Sequence, residues 1–256
     1  MADDVQYPIP VPIRSLPGIK RDGTKLEGDN YVDGQWVRFQ RGLPRKRGGY
    51  QRINRYLRDI VNTTHAYPKN NLTYVHMGSP NHIERLYIDS NGGTSILTDR
   101  TPTTLTENDN NLWQFDVDHA TTGVLQIIAQ VAPNLDDITN NSGGQLFYGP
   151  LAGTSLLTPI TNLPATYNAT GGILALHPYT VVFGDDGFIM SSVPGDPTDF
   201  TGTGSVNGYV TGQKIIRGLP LRGGPGNSPS GLYWSIDSLV RGTWVGGTEV
   251  FQYDTL

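Results

Sequence analysis

The densest chemistry in this 256-residue chain is a run of cations. Arg38, Arg41, Arg45, Lys46, Arg47, Arg52, Arg55 and Arg58 fall within 21 residues that hold no acid. Flanked by Trp36, Phe39, Tyr50 and Tyr56, they have the ingredients of a surface that contacts phosphates and stacks on bases. Arginine is equally the residue for bidentate pairing with carboxylates, and residues 101–213 carry ten acids and not one Lys or Arg. Arg38, Arg41, Arg45, Lys46, Arg47 and Arg52 are therefore candidate docking residues for a second copy or another protein. Direct nucleic-acid contact and a merely solvated face are the alternatives.

Other chemistry is sparse. The absence of Cys excludes disulfides, thiolate zinc sites, iron–sulfur ligation and a Cys nucleophile. His65, His76, His82, His119 and His177 show no metal-type pairing, and only Asp116-Val117-Asp118-His119 has the makings of a cation clasp. Strand alternation sends Asp116 and Asp118 to one face and His119 to the other, so neither a metal nor a cofactor is expected. Asp136-Asp137 and Asp185-Asp186 imitate a catalytic carboxylate pair, but adjacent acids in turns diverge into solvent. No nucleophile elbow, P-loop or dinucleotide fingerprint occurs; Gly202, Gly204 and Gly208 miss the required spacing. No enzymatic activity is expected.

The elements that must position these residues are strands. There are 32 Gly and 18 Pro, and only 16% of residues are charged, a balance that favours turns over long helices. Residues 1–28, punctuated by Pro8, Pro10, Pro12 and Pro17, predict an extended arm, with Val5, Tyr7, Ile9, Val11, Ile13 and Leu16 as apolar anchors against a neighbour. Residues 29–70 form a basic docking segment, with one weak helical pattern over Tyr50 to Asn62. Residues 71–256 alternate short apolar runs with Gly, Asn, Asp and Pro clusters, as consecutive antiparallel strands do. Gly184-Asp185-Asp186-Gly187 and Gly246-Gly247 mark hairpin turns. An internal echo, Tyr87 to Thr98 against Tyr148 to Thr158, repeats strand, Gly turn and strand. The expected fold is all-β with little helix, a β-propeller-like and partial or open platform of about three to four blades by that spacing. No apolar stretch has the length of a membrane span, and the N-terminus lacks a secretory pattern; the chain reads as soluble, unexported and without stable membrane anchoring.

Two blocks carry a family resemblance. Gly28 to Tyr50, GDNYVDGQWVRFQRGLPRKRGGY, resembles the start of tail nozzle proteins of short-tailed bacteriophages, also called tail tubular protein B or packaged-DNA stabilisation proteins. Ser230 to Phe251, SGLYWSIDSLVRGTWVGGTEVF, is similar to their segment in which a strand precedes a Gly-Gly hairpin. The resemblance implies a structural virion protein, assembled in the host cytoplasm and placed in the phage tail. It further implies a ring, usually a hexamer, docked on an adaptor or portal-side protein and on tail fibre or spike proteins, which retains packaged double-stranded DNA and conducts it during ejection. It also implies further strands beyond residue 256 to close the propeller.

In such a conduit a wall that attracts phosphate acts as a brake, whereas a repulsive wall keeps the polyanion centred and mobile. Asp109, Asp116, Asp118, Asp136, Asp137, Asp185 and Asp186 are the candidates to face the lumen or a subunit interface. The competing function is a tail-associated glycan-binding or glycoside-hydrolase propeller, resting on Trp113 beside Asp116 and Asp118, and on Trp234 beside Asp237. Against it stands the expectation that Trp234 and Trp244 pack in the core.

Overall fold

The computed structural model describes residues 16–19, 30–31, 33–41, 43–47, 56–89, 96–120, 122–133, 144–164, 168–221 and 229–256. The chain divides into two units, Met1–Asn54 and Arg55–Leu256. Most of the expected arm, together with Arg52, Arg55, Asp136 and Asp137, lies outside the described residues.

In the first unit, β1 (Leu16–Ile19) runs parallel to β2 (Asn30–Tyr31), and β3 (Val37–Gln40) pairs antiparallel with β4 (Leu43–Lys46). Arg41, at φ 52°, takes the left-handed conformation that a tight two-residue hairpin turn requires. The Tyr31 and Phe39 rings lie 5.6 Å apart.

The second unit is four antiparallel sheets of four strands, each a simple meander in chain order. The first holds β5 (Thr63–Lys69), β6 (Leu72–Ser79), β7 (His82–Asp89) and β8 (Ile96–Asp99); the second holds β9 (Asn111–His119), β10 (Leu125–Pro133), β11 (Gln145–Pro150) and β12 (Thr158–Pro159). The third holds β13 (Gly172–Leu176), β14 (Tyr179–Phe183), β15 (Phe188–Ser191) and β16 (Val206–Tyr209); the fourth holds β17 (Ile215–Leu221), β18 (Ser230–Ser235), β19 (Leu239–Trp244) and β20 (Phe251–Thr255). The expected all-β class holds, and no α-helix occurs among the described residues. Strand β5 belongs to the first sheet, so the sheets start ahead of the boundary expected at residue 71. The weak helical pattern over Tyr50 to Asn62 fails in its described part: residues 56–62 are irregular, with Tyr56 85% and Ile60 83% exposed. Its spaced apolar residues have no face to bury against, and without one an isolated short helix does not hold.

Successive sheets pack face to face, each with the next. Trp113, Ile83, Ile127, Val131 and Phe147 fill the space between the first and second sheets, Ile128, Leu146, Val182, Phe188 and Met190 that between the second and third, and Leu174, Phe183, Tyr233, Val240 and Phe251 that between the third and fourth. The leading strands follow the same order, β5 against β9, β9 against β13 and β13 against β17. Trp113 is the central tryptophan: it is buried, its indole N–H donates to Ser79 O at 2.8 Å, and its ring lies so close to Gly78 that a Cβ there would sit 2.7 Å from it. The alternation expected around Trp234 is present but its faces are reversed. Tyr233 points into the core, whereas Trp234 is only half-buried and Trp244 is 37% exposed. Alternation separates two faces without saying which one is covered, and here the smaller aromatic fits between Phe183 and Tyr253.

Candidate functional site

All four leading strands of the second unit line one cavity of about 410 Å³, with His65 from β5, Gln114 and Asp116 from β9, Ala175 from β13 and Arg217 from β17 on its wall. Asp116 is tied down by main chain: Val117 N donates to Oδ1 at 2.8 Å and Ala175 N to Oδ2 at 2.7 Å. Burial nevertheless pushes its carboxyl above the ordinary range. Burial likewise lowers His65, partly offset by the charge of Asp116, and the His65 Nε2 is buried without a hydrogen-bond partner. With one oxygen held by the amide of β13 and the other by its own strand, Asp116 fastens β9 to β13.

The same use of polar groups recurs along this seam. Gln114 Nε2 donates to Gly171 O at 2.6 Å and Gln130 Nε2 to Ala169 O at 2.8 Å. Asp118, 2% exposed, accepts from Thr180 Oγ1 at 2.8 Å and from His177 Nδ1 at 2.9 Å. Asp185 accepts from Thr170 Oγ1 at 2.7 Å and pairs with Lys214 at 3.3 Å. Asp109 and Asp186 are exposed, Asp109 accepting from Asn81 Nδ2 at 3.2 Å. Of the five described acids of the expected set, Asp116, Asp118 and Asp185 are engaged by contacts within the chain, and Asp109 and Asp186 are exposed. Elsewhere the spacing Asp-x-Thr caps turns, at Asp99 with Thr101, Asp196 with Thr198 and Asp199 with Thr201. Acids that take backbone amides and hydroxyls as partners need no cation nearby, and Asp116, Asp196 and Asp199 in the stretch without Lys or Arg are held in this way.

The basic segment is organised in the opposite way. Arg38, Arg41, Arg45, Lys46 and Arg47 are all exposed on or beside the β3–β4 hairpin, and among the described residues none has an ion-pair partner. Arg38 sits directly opposite Arg45 across the ladder, a like-charge pairing that costs stability. Trp36 is 54% and Leu43 62% exposed on the same ribbon.

No protein-family model matches the chain, and no curated protein matches it.

The glycan-binding constellations do not converge. Trp113 is buried and offers no ring face to a sugar. Asp237 is exposed and its carboxyl is held below the ordinary range, mainly by the Ser235 hydroxyl at 3.0 Å with help from Ser238; a general acid needs the reverse shift. What the sequence reading missed is His177. It reaches Asp118 from the β13–β14 turn, 59 residues along the chain, and no local spacing signals such a pairing. Asp118 is buried and His119 exposed at the end of β9, as alternation expects, yet one ring nitrogen of His119 still lies within 4.8 Å of Asp118 and His177 donor atoms.

Proposed function

We propose that the chain is a structural subunit of the tail nozzle or head-to-tail connector of a short-tailed phage, assembling into a ring around a duplex-DNA channel. The β3–β4 hairpin carries this reading. Its five cations without an ion-pair partner among the described residues, the repulsion of Arg38 and Arg45, and exposed Leu43 are relieved together by docking on an acidic, partly apolar neighbour. The resemblance of Gly28 to Tyr50 to the start of nozzle proteins covers this same hairpin.

The four meanders are best read as a β-propeller-like platform, because their leading strands line a common cavity and their faces pack in sequence. That cavity is no DNA passage. At about 410 Å³ it is too small for a duplex whose major groove alone is about 12 Å wide, so the conduit in this reading runs along the axis of the ring of subunits. Adaptor or portal-side and fibre proteins are the expected neighbours, and the virion tail the expected location.

Electron microscopy of the purified chain tests the proposal. Closed rings with a central opening wide enough for a duplex are expected; a chain that stays monomeric at high concentration and in the presence of extracts of assembled tails contradicts it.

A further inference from the structure

We propose that Asp118, His119 and His177 form a binding site for a divalent transition-metal ion, Zn²⁺ being the first probe, that staples the second sheet to the third. One donor atom from each of the three residues lies within 4.8 Å of the other two. The three come from two sheets: Asp118 and His119 end β9, while His177 lies in the turn between β13 and β14. The imidazole rings meet edge to face, with centroids 5.4 Å apart.

The chemistry of the donors sets the class of ion. Two imidazoles and one carboxylate suit zinc, cobalt, nickel and copper, whereas magnesium and calcium prefer all-oxygen sets. The mechanical roles differ among the three. Asp118 is the fixed point, 2% exposed and anchored by Thr180 Oγ1 at 2.8 Å and the His119 amide at 2.7 Å. His119 and His177 are exposed, the latter with a 60% exposed side chain, so their rings have room for the adjustment, up to about 1.5 Å between donor atoms, that coordination at 2.0–2.2 Å demands. His177 already donates Nδ1–H to Asp118 Oδ1 at 2.9 Å. The ion takes the place of that bridging proton, which is released to solvent or carried through it to Nε2, and Asp118 supplies the one carboxylate charge that the ion meets. Solvent completes the coordination from the open side. The inference stands on these three residues alone and does not depend on the tail reading.

The test uses the untagged full chain titrated with Zn²⁺ by calorimetry, and with Co²⁺ by visible absorption, whose intensity reports a low-coordinate N/O site. One saturable ion per chain is expected, together with a rise in melting temperature that a chelator reverses. His119→Ala and His177→Ala, both at exposed positions, should each weaken binding at least tenfold and abolish the thermal shift. His82→Ala should bind within twofold of the parent. Absence of saturable binding, retention of binding in either His119→Ala or His177→Ala, or an equal loss in His82→Ala overturns the proposal.

Discussion

The β3–β4 hairpin and the seam between the second and third sheets use charged residues in opposite ways. On the hairpin, Arg38 and Arg45 face each other across the ladder and find no acid among the described residues. Inside the sheet array the arginines are held by main chain and rings: Arg85 and Arg100 are buried, both donate to Gly153 O, and Arg85 also lies 5.7 Å from the centre of the Tyr74 ring, while Arg85 Nε and Arg100 Nε and Nη2 are buried without a hydrogen-bond partner. Asp116 and Asp118 take backbone, Thr and His donors across the seam. Charge satisfied within the chain serves to hold sheets together, and charge left open serves to attract what the chain lacks. Substitutions in the two regions should therefore separate stability from assembly.

The largest expected effect is in the core. Trp113→Ala removes a buried ring and orphans the Ser79 carbonyl, at a cost of about 3 to 5 kcal/mol, read as a large fall in the denaturation midpoint. A hairpin substitution with comparable loss would break the contrast between the regions.

Acid comes next. Burial first, then the charges of Arg100 and Arg85, draws His76 down from 6.5 to about 3. Its folded pKa is thus below its unfolded one, so the unfolded chain binds the extra proton. Stability is unaffected above pH 6.5 and falls as pH drops from there toward 3, by about 1.4 kcal/mol per unit, or roughly 2 to 3 kcal/mol by pH 4.5. His76→Leu should flatten this part of the stability profile in chemical denaturation across pH; an unchanged slope assigns the acid sensitivity to other groups.

A smaller effect belongs to the seam. Thr180→Val keeps the shape and deletes the hydroxyl that supports Asp118 Oδ2, at about 1 to 3 kcal/mol. The smallest is Arg58→Ala, which removes a 2.8 Å pair with Asp99 whose side chains are 53% and 31% exposed, and which should change stability by less than about 1 kcal/mol.

The strand pattern was largely legible because turns and apolar runs are local. The apolar runs Ile173 to Leu176 and Thr180 to Phe183 read as strands from the sequence alone, and β13 and β14 each begin one residue ahead of them. Strand β5 was hidden by its polar alternation and by Pro68, which sits on the sheet's first strand where a missing donor does little harm. Strand β17 was masked in the same way by Arg217 and Pro220. The inward face of Tyr233-Trp234 depends on what the neighbouring sheet presents, and that is set by residues far along the chain. The basic hairpin was visible as composition. The meeting of Asp118 with His177 was not, since it exists only once two sheets stack.

The central claim is that the hairpin's open charge drives assembly while contributing little to the fold. Its most direct test is the assembled mass, measured in solution at low and high salt, of the parent chain and the Arg45→Ala, Lys46→Ala, Arg47→Ala triple variant. The account predicts parent rings that weaken with salt, a variant that stays unassembled at both, and melting that differs by no more than about 0.5 kcal/mol per site. A variant that assembles like the parent, with the same salt dependence, would show that the hairpin is only a solvated face.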